Sequence, residues 1–409
     1  MRDLATLIEL PAVRAILASD LEASALGVER SCTLPPGCYT DPDFYAFELE
    51  AVFAREWLCL GRVEQVPSVG DWFSVTIADE PMIVVRSAPD DVRVLSAVCQ
   101  HRGMVITAPS ESTPDEWGRL PPETAGHGRQ LRCPYHYWVY DLEGRLIGAP
   151  EMQRTCGFDK ADVRLPRIRS EIWNGFVFAN LDPDAEPLAP RLADLSALLA
   201  NWHLDEMVSG PPQRLDDLPW NWKVMQENGL ENYHSDRLHR GLHDAVPSSG
   251  LLPTPYDDGS AAIISRLRAS HRDFSLNPTY KALLPIIPTL TDEERETSTF
   301  ALLPPTLLIG MNTDSALYRI VMPTAVDRIT IVFGNLFPPG ERDERRFREV
   351  QKMVTAGLLT MTSQDVPTDA AVQKGLRSRF APRGRYSWQE EPLAHFNRWL
   401  VRRYRKAAS

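Results

Sequence analysis

The chain has 409 residues, 43% hydrophobic and 24% charged, which is long enough for two or three domains and is the composition of an ordinary globular protein. Its net charge of −11 argues against nucleic acid as the main partner, because phosphate binding needs a concentrated excess of Lys and Arg. No uncharged apolar run reaches the roughly eighteen residues of a membrane span, and acidic residues interrupt the N-terminal MRDLATLIELPAVRAILASD, so a cytoplasmic protein is expected.

Residues 1–30 predict one or two short helices, and Phe44, Phe47, Val52 and Phe53, near helical spacing, predict another over 44–56. From Gly70 the texture changes to short β-type runs at 72–77, 82–86 and 92–98, with a turn at Asp90-Asp91. Asn174-Gly175 between two apolar runs is a two-residue hairpin signature. Residues 45–180 thus predict a small, mostly β unit that ends at the Pro- and Asp-rich segment 181–190. Beyond it, helices are expected at 191–203 and 226–243, and strands at 261–267, 300–309, 317–322 and 329–336. Two or three helices should follow between 341 and 405, which makes an α+β second domain on an antiparallel sheet. The basic run Arg398, Arg402, Arg403, Arg405 and Lys406 reads as a solvated helix face, with a docking patch for an acidic electron-transfer partner as the alternative.

Six cysteines, Cys32, Cys38, Cys59, Cys99, Cys133 and Cys156, are too few for a disulfide scaffold in a chain this long, and cysteines matched with histidines more often hold metal. Cys99-Gln100-His101 and Cys133-Pro134-Tyr135-His136 are such matches. Two thiolates and two imidazoles could hold zinc. A His two or three residues after a Cys in each of two loops suits instead a [2Fe–2S] cluster with thiolates on one iron and imidazoles on the other, at a potential of about −150 to +300 mV. The remaining cysteines lack such partners and are expected to pack in cores.

Cys99-Gln-His101-Arg-Gly103 and Cys133-Pro-Tyr-His136-Tyr-Trp138, followed by Tyr140-Asp-Leu-Glu-Gly144, resemble the two cluster loops of the Rieske oxygenases, the aromatic-ring-hydroxylating family, which read C-x-H-R-G and C-P-Y-H-G-W. The chain departs from that pattern twice. Tyr137 stands where the family usually has Gly, and 31 residues separate His101 from Cys133, more than is usual. The polar, Pro-rich excess around 110–130 is expected to be a surface excursion, and His127 within it is not expected to be a ligand.

A second constellation begins at Glu231, His234, His239 and His243. Iron that activates dioxygen takes two imidazoles and one carboxylate on a single face, with other positions open. On an undistorted helix His239 and His243 share a face, whereas His234 and His239 point about 140° apart, so geometry alone leans to His239 with His243. The resemblance reverses that choice. The family's pattern of an acid, two residues, His, four residues, His is matched by Glu231, His234 and His239, which implies a helix distorted there, with a π-type bulge, and His243 in the pocket or merely packed. It likewise implies Asp365, eight residues before Gln373-x-Gly375, as the third ligand, with Asp369 one helical turn later as a competitor. Glu231, usually Asp in the family, is implied to bridge His136 of one subunit and His234 of the next within a head-to-tail trimer, fixing both imidazoles.

The resemblance therefore implies an α+β chain: a small all-β Rieske domain over 45–180, and a larger helix-grip catalytic domain, residues 1–44 and 181–409, holding Fe(II) on an antiparallel sheet. It implies the oxygenase component of a multicomponent system. Electrons from NAD(P)H would arrive through a separate reductase, with or without a ferredoxin, because no Gly-rich dinucleotide loop is present. A homotrimer is implied, with or without a β subunit. The reaction would be hydroxylation or oxidative demethylation of a small aromatic or quaternary-ammonium compound, Glu at 231 leaning to the latter subset. Two other classes stay open. A Rieske electron carrier would have no use for Glu231, His234, His239 and Asp365, and a helix-grip ligand-binding protein would have none for Cys99, His101, Cys133 and His136.

Overall fold

A computed structural model describes residues 3–107, 125–210, 212–239, 241–252, 260–339 and 344–409. Most of the excursion expected around 110–130 lies outside the described residues. The chain divides into two compact units, Cys59–Ala185, and Met1–Leu58 with Glu186–Ser409. The smaller unit thus begins at Cys59 and not at residue 45.

In the smaller unit the strands are β1 (Leu58–Arg62), β2 (Asp71–Ile77), β3 (Glu80–Ala88), β4 (Asp91–Ser96), β5 (Ala125–His127), β6 (Leu131–Arg132), β7 (Val139–Tyr140), β8 (Leu146–Gly148), β9 (Arg167–Trp173) and β10 (Phe176–Asn180). Seven form one sheet in the order β1-β10-β9-β4-β3-β2-β5, and β6-β7-β8 form a second. The β9–β10 hairpin turns at Asn174 and Gly175, both with positive φ, as the two-residue turn predicts. The β3–β4 turn lies at Pro89-Asp90, one residue earlier than the sequence suggests. Ile83, Val85, Leu95, Leu131, Tyr140 and Leu146 pack into one core that also contains Cys99 and Cys133. Both cluster loops therefore grow out of a rigid floor.

The larger unit is built on β11 (Val208–Ser209), β12 (Gln213–Leu218), β13 (Leu251–Leu252), β14 (Ala261–Arg266), β15 (Thr297–Leu303), β16 (Leu307–Met311), β17 (Ala316–Ala325) and β18 (Arg328–Phe337). They make one antiparallel sheet in the order β11-β18-β17-β16-β15-β14-β13, with β12 also on β18. The run expected as one strand over 300–309 is two, because Pro304 and Pro305 lack the N–H groups that a ladder needs. Glu344–Leu376, 33 residues with Pro367 inside, and Glu391–Ala408 are the closing helices. The long helix lies on the sheet: Val350 and Val354 pack with Phe337, and Asn335 Nδ2 donates to Thr355 Oγ1 at 3.0 Å.

Two expectations need correction, and a third holds only in part. The helix expected over 226–243 is broken into Trp222–Gly229, Ser235–Leu238 and Leu242–Ala245, and among the described residues it carries no π-type bulge; a π-turn occurs instead at Leu49–Phe53. The C-terminal basic run is a solvated face in part: Arg402, Arg405 and Lys406 are exposed, while Arg398 and Arg403 are half-buried. Arg398 Nε donates to the Ala25 carbonyl, Arg403 Nε to Glu56 Oε1 at 2.9 Å and Arg405 Nε to Glu22 Oε1 at 2.9 Å, so these arginines clamp the last helix to the N-terminal segment. Cys32, Cys38 and Cys59 are buried as expected, but Cys156 is exposed. Among the described residues no helix is long and apolar enough to cross a membrane.

Candidate cluster and metal centres

The two cysteine loops share a hydrogen-bond plan. Cys99 N–H donates to the Met104 carbonyl at 2.9 Å and Gly103 N–H to the Cys99 carbonyl at 3.0 Å; Cys133 N–H donates to the Trp138 carbonyl at 2.8 Å and Tyr137 N–H to the Cys133 carbonyl at 3.1 Å. Gly103 adopts φ +75°, which suits glycine. Tyr137 adopts φ +59° with a side chain attached, a conformation that costs about 1–2 kcal/mol for a non-glycine residue. Its ring stands above Arg132, 5.9 Å from the guanidinium carbon.

Both thiols are buried, 2% exposed. Burial raises the pKa of the Cys133 thiol, and a hydrogen bond with the Cys99 thiol adds to the rise, so the sulfurs lie together. The imidazoles of His101 and His136 also lie together, ring centres 4.7 Å apart, and His101 stacks flat on Trp138. Burial, then His136 and Arg102, lower the pKa of His101, and its Nδ1 is buried without a hydrogen-bond partner. A single tetrahedral zinc with bonds of about 2.0–2.3 Å would gather all four donors within about 4.6 Å. Among the described residues the set of three donors gathered within 4.8 Å is a different one, His234, His239 and Asp365. The loop donors form a thiol pair and an imidazole pair, which fits a two-iron cluster better than one ion.

Tyr140 has a role here that motif reading did not assign. Its hydroxyl accepts from Gln100 N–H at 3.0 Å and lies 3.3 Å from Cys99 Sγ. Burial and Cys99 hold the phenol protonated, leaving its one proton for the sulfur. Such a bond favours the more negatively charged, reduced cluster. Tyr140→Phe is expected to lower the reduction potential by on the order of 40 mV, taking the bond as worth about 1 kcal/mol in a one-electron couple; redox titration of the cluster spectrum checks it.

The second centre depends on the broken helix. Asn221 caps Trp222–Gly229, its Oδ1 accepting from Lys223 N–H at 3.0 Å. After the break, His234 and His239 cap the two ends of the single turn Ser235–Leu238, and at His239 the backbone leaves helical geometry with ψ 85°. Two imidazoles five residues apart thereby converge. His234 Nε2 lies 3.1 Å from His239 Nε2, and Asp365 Oδ1 lies 3.2 Å from His239 Nε2 and 3.9 Å from His234 Nε2. Cis ligands at about 2.1 Å from one ion stand about 3.0 Å apart, so the spacing suits a facial set of two imidazoles and a carboxylate. Asp365 Oδ1 is buried and has no hydrogen-bond partner, as an oxygen kept for a cation would be.

The other nitrogen of each imidazole is held from behind. Glu231 accepts from His234 N–H at 3.0 Å and pairs with His234 Nδ1, while His239 Nδ1 lies 2.8 Å from Gln364 Oε1. Burial lowers the pKa of His239, but its contacts with Asp365 and Gln364 outweigh that and leave it raised. Gln373 sets the long helix in register: its Oε1 accepts from Asn221 N–H at 2.9 Å and its Nε2 donates to the Tyr39 carbonyl at 3.0 Å. His243 lies outside the donor set, its Nε2 3.1 Å from Asp244. Asp369 is also outside the set; burial and the charge of Asp365 push its carboxyl up to about 8. His127, the other histidine considered, pairs with Asp71 at 2.7 Å.

A cavity of about 100 Å³ adjoins the donor set, walled by apolar side chains including Phe300, Leu308, Leu317, Phe333 and Met361. Next along the helix, Glu227 is half-buried and accepts from the Tyr39 hydroxyl at 2.5 Å. Burial pushes its carboxyl from 4.5 up to about 7, against the opposing pull of Tyr39 and Lys223. A carboxyl with a raised folded-state pKa takes up a proton on folding, so stability falls as pH rises from about 4.5 to about 7 and is flat above, by on the order of 3 kcal/mol in all. Glu227→Gln is expected to flatten that slope, measured by urea unfolding at pH 5 and pH 8.

The family description "Ring hydroxylating alpha subunit (catalytic domain)" matches residues 198–406, slightly more than half of the chain, and "Rieske [2Fe-2S] domain" matches residues 56–167. The chain belongs to the ring-hydroxylating oxygenase alpha-subunit family. The two domains of this family bring a [2Fe–2S] cluster and a mononuclear iron as cofactors, and the donor sets above fit each of them. This alpha-subunit chain is 32% identical over 251 residues to biphenyl 2,3-dioxygenase subunit alpha of Rhodococcus jostii, a match covering 58% of the chain and 50% of that protein. It is 24% identical over 383 residues to the chloroplastic choline monooxygenase of Arabidopsis thaliana, covering 90% and 82%. The matched stretch spans about half the length of the curated dioxygenase subunits. Naphthalene 1,2-dioxygenase from a Rhodococcus species superposes with a TM-score of 0.74 at 20% identity, covering 96% of the chain and 98% of that one. A quaternary ammonium Rieske monooxygenase superposes with a TM-score of 0.74 at 20% identity, covering 91% and 96%. At such identities these two structures show the shared α+β fold.

Proposed function

We propose that this chain is the oxygenase component of a Rieske non-haem iron system that uses dioxygen and NAD(P)H-derived electrons to hydroxylate or oxidatively demethylate a small organic molecule. The carrying observation is the convergence of His234, His239 and Asp365 beside an apolar cavity. Cys99, His101, Cys133 and His136 would hold the cluster and those three the mononuclear iron. When bound, the two groups supply single-electron transfer and dioxygen activation. The protein's own contribution is placement: Glu231 and Gln364 fix the tautomers and ring orientations of His234 and His239, and apolar side chains of the sheet flank the donor set.

The solved quaternary ammonium monooxygenase is described with inter-subunit electron transfer, and a homotrimer in which Glu231 links His234 to His136 of a neighbouring copy fits the same scheme here. A reductase, alone or with a ferredoxin, would deliver the electrons. Glu231→Gln is expected to keep both metals but lower steady-state turnover about a hundredfold, at the upper end of effects from residues behind a ligand. Full activity in that variant removes the bridging role. The test of the whole proposal is iron and acid-labile sulfide per chain together with substrate-dependent oxygen uptake. About three irons and two sulfides support the oxygenase, two irons an electron carrier, and none a ligand-binding protein.

A further inference from the structure

Arg319 stands on β17 with Leu308 and Phe333 as its ladder neighbours, and Leu317 precedes it on the same face of the sheet. All four line the cavity beside His234, His239 and Asp365. Strand alternation makes this an inward position in a wall that is otherwise apolar, where a guanidinium is costly unless it is paired. The chain pairs it only in part. Nη2 donates to the Met225 carbonyl at 2.9 Å, whereas Nε is buried with no hydrogen-bond partner, and among the described residues no carboxylate lies within ion-pair distance of the group. The berth is shaped for it: a Cβ at Gly229 would lie 2.3 Å from Nη2, so glycine there lets the guanidinium lie against the end of the Trp222–Gly229 helix.

We propose that Arg319 receives a carboxylate of the organic substrate, which makes the substrate class a small molecule with an apolar body and an anionic end. The planar fork of a guanidinium matches a carboxylate, and the apolar walls take the body and hold its carbon skeleton beside the donor set. Burial lowers the arginine's pKa to about 10, opposed by Asp365 and Asp369, so the group stays charged at neutral pH. A buried cation in this wall also works against a purely cationic substrate. Chemically, the word substrate rests on the oxygenase proposal, but carboxylate binding does not.

The test measures binding to the anaerobic holoenzyme by tryptophan fluorescence. Benzoate is compared with benzamide, cyclohexanecarboxylate with its amide, and phenyltrimethylammonium serves as the cation of similar size. Each carboxylate is expected to bind more tightly than its amide and the cation least. Arg319→Met is expected to weaken carboxylate binding about a hundredfold with little change for the amides, and Arg319→Lys to recover part of the loss. Iron and sulfide counts of each variant separate this role from that of a counter-charge for the metal site, which would lower iron loading and weaken all ligands alike. Equal binding of amide and carboxylate, preference for the cation, failure of every carboxylate to bind, or unchanged benzoate affinity in Arg319→Met overturns the assignment. The wild-type comparison stands even if a variant fails to fold. Oxygen uptake with a neutral substrate, without carboxylate preference, would remove this inference and leave the oxygenase; carboxylate preference without oxygen uptake would do the reverse.

Discussion

His234→Ala is expected to abolish oxygen-dependent turnover while leaving the visible spectrum of the cluster unchanged. His234 Nε2 is 3.1 Å from His239 Nε2 and 3.9 Å from Asp365 Oδ1, so its loss leaves two donors where three converge. Removing a residue behind a ligand already costs about 10–100-fold in metal affinity or activity, and removing a ligand itself should cost more. The iron count should fall from about three to about two per chain at constant sulfide, since one mononuclear site is emptied and a two-iron cluster kept. Persistent turnover, or loss of the cluster's colour, would show that the chemistry or the residue's role lies elsewhere. Asp365→Asn provides the control of charge without much change of shape.

The parts of this site that could be read from sequence are those whose donors are close in the chain. Cys99 with His101 and Cys133 with His136 each fall in one loop, and the hairpin at Asn174-Gly175 needs two residues. His234 and His239 were harder, because an ideal helix puts them on different faces and favours His239 with His243. The chain resolves that by ending the helix at Gly229 and using both histidines as caps of a four-residue turn, a geometry that periodicity cannot foresee. Gln364 bonds His239 across 125 positions, and no local pattern marks it. Arg319 does leave a signal in the sequence. In Ala-Leu-Tyr-Arg-Ile-Val it is a lone charge inside an apolar strand, and every second residue around it, Leu317 and Val321, is buried. A single arginine at an inward strand position needs a partner, and the Met225 carbonyl satisfies only part of this one.

The largest expected effect on stability lies in a group that touches neither metal site. Lys223 and Glu48 are fully buried, with Nζ 2.8 and 2.7 Å from the two carboxylate oxygens; Trp222 Nε1 donates to the same carboxylate at 3.2 Å, and so does the Tyr404 hydroxyl. The ammonium also lies 5.3 Å from the Tyr39 ring centre. Lys223→Met would leave a carboxylate buried with no countercharge, and breaking such a pair from one side costs about 3–5 kcal/mol. Removing both charges costs less, so Glu48→Gln with Lys223→Met should regain a large part of that stability, because the amide still accepts from Trp222 or Tyr404. Urea unfolding of the four members of the cycle measures the coupling. Lys223 sits in the first turn of the helix whose far end precedes Glu231 and His234, so loosening its anchor should release the mononuclear iron at lower urea than the cluster bleaches. Simultaneous loss of both metals, or a single variant as stable as the double, would mean that the buried pair does not hold the metal-site helix in place.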